Sequence, residues 1–195
     1  APQLLFHKST SLAESWQVYS EPTGAGGRGW LSLDNAFQTS RGEWYSATPD
    51  SVNMRISNDS HINQSGATFI SYFFTSIKGY SKIGSYKGNG STWGVFVNCG
   101  FKPAFVLVKK TNDADNWVLL DNKRDTAPNP QKLALFPNTN GAEAGDYLMD
   151  FLSNGFKIRS STGSLNNSSS GGTYLYMAFA EEPLVASNGT PATAR

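Results

Sequence analysis

Pro103-Ala-Phe-Val-Leu-Val-Lys-Lys-Thr111, followed after five residues by Trp117-Val-Leu-Leu120, repeats a pattern that opens the chain. Pro2-Gln-Leu-Leu-Phe-His-Lys-Ser-Thr10 and then Trp16-Gln-Val-Tyr19 stand 101 positions earlier, so that Lys8, Thr10 and Trp16 return as Lys109, Thr111 and Trp117. Trp30-Leu-Ser-Leu33 matches Lys132-Leu-Ala-Leu135 at an offset of 102, and Ser65–Phe74 matches Ser170–Phe179 at 105. An offset that only grows along the chain is what a duplication acquires as small insertions collect in its loops. A period near 100 residues is too long for a solenoid or propeller blade, which run at roughly 20 to 50. The pattern therefore predicts one all-β sandwich domain over residues 1–182. It is built from repeats at 2–78 and 101–182, joined by a hairpin at 79–100 and followed by a tail at 183–195. Both halves are expected to share a single apolar interior.

Each repeat reads as strands. Phe105-Val-Leu-Val108 is apolar at every position, as in a strand covered on both faces. His7 stands where the second copy has Val108 and reads as a half-buried strand histidine. In the linker, Gly88-Asn-Gly-Ser91 supplies turn residues between two alternating segments, which predicts a hairpin over 81–98. Val52-Asn-Met-Arg-Ile56 alternates as a strand would, and its counterpart Phe156-Lys-Ile-Arg-Ser160 keeps the arginine, Arg55 against Arg159. Asn154-Gly155 marks a tight turn before Phe156. Asp146–Leu152 is the one stretch that reads as a turn or two of helix.

Composition narrows the function classes. Charged residues make up only 16% of the 195 residues while aromatics reach 13%, which suits a turn-rich β-protein and not a disordered chain. A net charge of +1 gives no basic field for a phosphate backbone, so no nucleic acid is expected as a partner. No apolar run approaches the roughly 18 residues a membrane helix needs, and no insertion is expected. The single cysteine, Cys99, reads as a buried hydrophobe. The chain begins without Met, inside a strand, which predicts further polypeptide before Ala1.

Several motifs invite chemistry and fail on context. Gly24, Gly26 and Gly29 spell G-x-G-x-x-G, but dinucleotide binding needs those glycines to open a helix, and Trp30-Leu-Ser-Leu33 alternates instead. Asn112-Asp-Ala-Asp-Asn116 offers oxygens at alternating positions, yet no distant glutamate follows and hairpin tips favour Asp and Asn anyway. Neither histidine neighbours a serine in a nucleophile elbow. Asp121, Asp125, Asp146, Asp150, Glu181 and Glu182 could supply a carboxylate pair only if the fold brought two together. No catalysis, cofactor or metal is expected. The duplication offers a further filter, because features kept in both halves are those the fold requires. Trp30, Trp44 and Tyr45 belong to the first half alone. Together with Trp93 they are the candidate ligand-binding residues, since an aromatic face beside neutral polar groups suits the C–H surface of a sugar ring. The competing reading is that these rings complete the core.

Gly79–Ser91, Gly100–Lys110, Asn116–Asp125, Asp150–Arg159 and Gly171–Glu181 resemble a domain that recurs in tail-fibre and other structural proteins of tailed phages, many of them marine. The resemblance covers most of the chain, more closely from residue 79 onward, and Gly24–Tyr45 diverges. It implies a virion component of β-sandwich type, jelly-roll or lectin-like, with no catalytic residues to carry over. It also implies a homotrimer, by analogy with phage fibres, and other virion proteins and a host cell-surface glycan or receptor as partners. The ending Pro191-Ala-Thr-Ala-Arg195 suggests the distal end of such an appendage. The alternatives are a structural or capsid-decorating domain without a host ligand, and a glycan depolymerase.

Overall fold

Alternating apolar side chains build eleven short strands in the computed structural model, which describes residues 1–39, 44, 48–167 and 171–183. They are β1 (Leu4–Ser9), β2 (Gln17–Ser20), β3 (Gly29–Trp30), β4 (Phe69–Phe74), β5 (Ser81–Lys87), β6 (Phe96–Asn98), β7 (Pro103–Lys110), β8 (Trp117–Asp121), β9 (Met149–Leu152), β10 (Gly155–Ile158) and β11 (Thr173–Ala180). Two single-turn α-helices, α1 (Ser60–Asn63) and α2 (Gly163–Asn166), and a 3-10 turn at Glu21–Thr23 complete the described elements. The strands form three sheets, ordered β3-β2-β1-β4, β5-β11-β7-β8 and β6-β10-β9.

The two-residue period of a strand decides how these sheets stack. On β7, β8 and β11, the side chains of Val106, Val108, Val118, Leu120, Tyr174 and Tyr176 cluster with Val97, Met149, Phe151, Phe156 and Ile158 of the three-stranded sheet. Their neighbours Leu107, Trp117, Leu175 and Met177 point the other way, onto Leu4, Phe6 and Val18 of β1 and β2. The β5-β11-β7-β8 sheet is thus covered on both faces, as the unbroken apolar run Phe105–Val108 predicts. Beyond β1 and β2 a third cluster, Leu5, Tyr19, Trp44 and Ile62, covers the remaining face. The fold is all-β and sandwich-like. In place of the single interior expected for both halves, it has two intersheet cores and a smaller outer one, because strands apolar at successive positions need cover on each side.

Pairing registers recur at fixed spacings. β1 pairs β4 with Leu4 opposite Phe74, and β7 pairs β11 with Phe105 opposite Phe179. β1 pairs β2 with Leu5 opposite Tyr19, and β7 pairs β8 with Val106 opposite Leu120. Thr10 donates its amide to the Thr68 carbonyl at 2.8 Å, and Thr111 donates to Thr173, also at 2.8 Å. Gly66 and Gly171, which precede β4 and β11, both have positive φ (77° and 59°), a conformation open to glycine without strain. Lys8 donates to the Ser9 and Leu12 carbonyls at the end of its own strand, and Lys109 donates to the Asp115 carbonyl of its own loop and to the Asp34 carbonyl beyond β3.

Four expectations are corrected. The linker is no hairpin, because β5 pairs with β11 and β6 with β10, so the chain crosses between sheets over 88–95. The Asn166 side chain holds that crossing through Asn89 and the Ser91 carbonyl. Val52–Ile56 forms no strand, and Val52 and Arg55 are exposed, whereas Phe156–Ile158 is paired on both edges. Asp146–Leu152 is not helical. Asp146 adopts φ 73° and Met149–Leu152 pairs with β10 through the Asn154-Gly155 turn, whose ladder outweighs a weak helical signal. The offset of 102 does not reappear in pairing, since Trp30 faces Gln17 while Leu135 bridges Leu119.

Candidate functional site

The four aromatic candidates do not come together. Trp44 is fully buried against Leu5, Tyr19 and Ile62, with edge-on contacts to His7 and Tyr19, so its ring closes the outer core and presents no surface. Trp30 ends the edge strand β3 half-buried. Arg28 lies 4.8 Å from its ring centroid, and its carbonyl accepts from Trp117 Nε1 at 2.7 Å. That anchorage ties β3 to the neighbouring sheet. Tyr45 lies outside the described residues. Trp93, at the crossing beside the three-stranded sheet, is 72% exposed.

Trp93 owes its position to a short chain of polar contacts. Asn89 Oδ1 accepts from the Ser91 amide, Ser91 Oγ accepts from the Trp93 amide at 3.1 Å, and Asn89 Nδ2 donates to the Trp93 carbonyl. Asn166 then fastens Asn89 and Ser91 to α2, and the Val95 carbonyl accepts from Ile158 to rejoin the sheet. Gly94 fits because a Cβ there would meet the Ile158 carbonyl at 2.7 Å. The Arg159 guanidinium sits 5.0 Å from the Trp93 centroid, a cation–π contact that backs one face of the indole. Asp150, on β9, holds Arg159 from the other side at 3.0 Å.

These groups line an open cleft of about 230 Å³ together with Thr92, Pro130 and Leu148. The cleft combines an aromatic platform, a planar donor, a carboxylate acceptor and a hydroxyl. Such a set matches a ring that shows C–H groups on one face and hydroxyls at its rim. Trp93 was legible in the sequence as a candidate. Arg159 was legible only as a partner of Arg55, and nothing local in the sequence pairs Asp150 with it.

Most of the other polar candidates hold the fold together. Asp121 binds Arg124, Asp125 accepts from the amides of Lys132 and Leu133, and Glu181 pairs with Lys102 and Asn122. In the 112–116 loop, Asn112 accepts from the Thr173 amide, Asp113 binds Lys110 and Asp115 accepts from Ser164 Oγ. Lys109 is fully buried, donates to the carbonyls of Asp34 and Asp115, and has its pKa brought down to about 8 by burial. Gly24 and Gly29 open no helix; Gly29 lies so close to Phe37 that a Cβ would overlap its ring. His61 binds Glu14 at 2.7 Å. His7 is buried rather than half-buried, between Ser71 Oγ (2.8 Å) and the Ile62 carbonyl (3.0 Å). Because a carbonyl only accepts, Nε2 carries the proton and Nδ1 accepts from Ser71.

A family described as a domain of unknown function (DUF7483) matches residues 1–183. No curated protein and no solved structure matches the chain.

Proposed function

The chain belongs to the DUF7483 domain family, and for it we propose a non-enzymatic recognition domain of a phage appendage that binds host-surface glycans through the Trp93 cleft. The observation that carries this reading is the exposed Trp93 ring, backed by Arg159 and bordered by Asp150. A large apolar ring left in solvent and held by a built hydrogen-bond network is a recognition feature more than a packing one. The virion location, in a tail fibre or similar appendage beside other virion proteins, rests on the phage resemblance of residues 79–181. The expected internal duplication is supported by registers that recur at the sequence offsets: 101 between β1 and β7, and 105 between β4 and β11.

The test is a panel of bacterial envelope polysaccharides titrated against the protein by calorimetry. Binding by the native protein and loss of at least tenfold in affinity for Trp93→Ala and Arg159→Ala, with circular dichroism unchanged, is the expected result. Full binding by a folded Trp93→Ala removes the cleft from the reading. Release of oligosaccharides on incubation replaces recognition with depolymerase action.

A further inference from the structure

β4 and β11 hold equivalent places beside β1 and β7, but only β11 has a strand on its far edge. β5 runs antiparallel along that edge, with Ser81–Lys87 opposite Phe179–Thr173. Among the described residues no strand pairs with the outer edge of β4. Its sequence, Phe69-Ile-Ser-Tyr-Phe-Phe74, contains no charge or proline, two of the devices by which proteins usually blunt an exposed edge. Ile70, Tyr72 and Phe73 are 39%, 47% and 54% exposed, a concentration of solvent-facing apolar side chains on one strand.

The pairing pattern says which backbone groups have no partner strand among the described residues. Thr10 and Thr68 form a bonded pair, so alternation directs the amides and carbonyls of Ile70 and Tyr72 toward β1. Those of Phe69, Ser71 and Phe73 face outward. Their counterparts on β11 are Tyr174, Tyr176 and Ala178, which face β5 in continuation of the Gly88–Gly172 bond.

We propose that this edge pairs with β4 of a second copy of the chain, antiparallel about a two-fold axis at Ser71. The sequence is self-complementary in that register. Phe69 falls opposite Phe73 and Ile70 opposite Tyr72, aromatic or branched pairs that stabilise cross-strand contacts, and no like charges meet. The result is one eight-stranded sheet running across both copies, a two-fold pairing in place of the homotrimer that the phage resemblance implies, with the Trp93 cleft, on the opposite layer of each copy, left open. Two clefts on one dimer give a glycan surface two points of attachment. The pairing itself does not depend on the cleft's ligand.

Sedimentation of the full chain from 1 to 100 µM, together with hydrogen exchange read residue by residue, tests the pairing. A monomer–dimer equilibrium is expected, with the amides of Phe69, Ser71 and Phe73 gaining protection as concentration rises. Ile70→Lys and Phe73→Lys should each weaken dimerisation at least tenfold while leaving circular dichroism and the per-site affinity for a short oligosaccharide, too small to bridge two clefts, unchanged. Phe73→Pro, which removes only an outward amide, should do the same. A monomer throughout, a dimer in which those three amides stay unprotected, protection of them already present in the dilute monomer, or dimers that survive all three folded variants overturns the proposal.

Discussion

β4 and β11 start from similar sequence and meet their β1 and β7 neighbours in the same register, yet their surroundings diverge. β11 lies inside a sheet, with Tyr174, Tyr176 and Ala178 buried under the three-stranded sheet and Leu175 and Met177 buried under β1 and β2. β4 is an edge with three large apolar side chains in solvent. The coats behind the two strand sets differ as well. Behind β7 and β8 stands a hydrogen-bonded sheet, and behind β1 and β2 stand Trp44, Met54 and α1. In the latter coat, Tyr19 Oη and Trp44 Nε1 are buried without a hydrogen-bond partner among the described residues. A strand's own residues set its register, while the elements laid over it set how much it contributes.

The largest effect expected from this contrast is in the cores. Phe156 is fully buried and makes edge contacts with Tyr86 and Tyr176 at 6.1 and 5.3 Å. Phe156→Ala should cost about 4 kcal/mol and accelerate exchange across β7 and β11 together, because cavity and transfer costs add. Trp44→Ala removes an equally buried ring, but should cost about 3 kcal/mol and loosen only β1, β2 and α1. Denaturant titration with hydrogen exchange distinguishes the two. Loss of protection in β7 and β11 from Trp44→Ala would mean that the outer core and the central sheet unfold as one unit.

The same contrast explains what could be read from sequence. Most strands of both halves were legible because their apolar alternation is local, and Phe105–Val108 announced a sheet covered twice, but β9, inside the stretch Asp146–Leu152, reads as helix until its ladder with β10 is seen. The linker was misread because turn chemistry at Gly88–Ser91 fits a hairpin and a crossing equally well. Only the long-range hold of Asn166 on Asn89 decides between them. Val52–Ile56 alternates like its counterpart Phe156–Ser160, but the counterpart gains two strand neighbours and Val52–Ile56 none. For the site, exposure separates Trp93 from Trp44, and exposure is a property of packing that residue type alone does not carry.

Alkali and acid should act on different layers. Burial pushes the Cys99 thiol up to about 12 and raises Tyr86 and Tyr176, all in the core between the second and third sheets. These groups hold their protons longer folded than unfolded. Their contribution is complete below about pH 9 and is lost progressively above it, on the order of 4 kcal/mol for the thiol. Tyr19 and Tyr174 add in the same direction. Lys109 opposes them from pH 8 to 10.5, since its folded form releases its proton first. Net loss is expected above about pH 10, and Cys99→Ala should make that limb shallower in thermal melts. Burial lowers the pKa of His7, outweighing the bond that it donates to the Ile62 carbonyl. The unfolded chain therefore binds the extra proton first, and stability falls as pH drops below 6.5. That acid loss should appear first in the amides around Ile62, with the β7–β11 ladder unmoved.

The finest version of the comparison lies in two threonines. Thr10 Oγ1 reaches the Thr68 carbonyl at 3.2 Å, and Thr111 Oγ1 reaches the Thr173 carbonyl at 3.1 Å, beside amide bonds of identical length. Thr10 is exposed and has the Thr68 hydroxyl at 2.6 Å as a second partner, while Thr111 is buried. Replacing each by valine keeps the shape and removes the same bond. Thr111→Val should cost about 1 kcal/mol, because the Thr173 carbonyl keeps only its amide donor where water is excluded. Thr10→Val should cost about 0.3 kcal/mol, since water and the Thr68 hydroxyl replace what is lost. Equal costs in urea titrations would mean that burial does not set the worth of this bond, and that the two halves differ in covering without differing in energy.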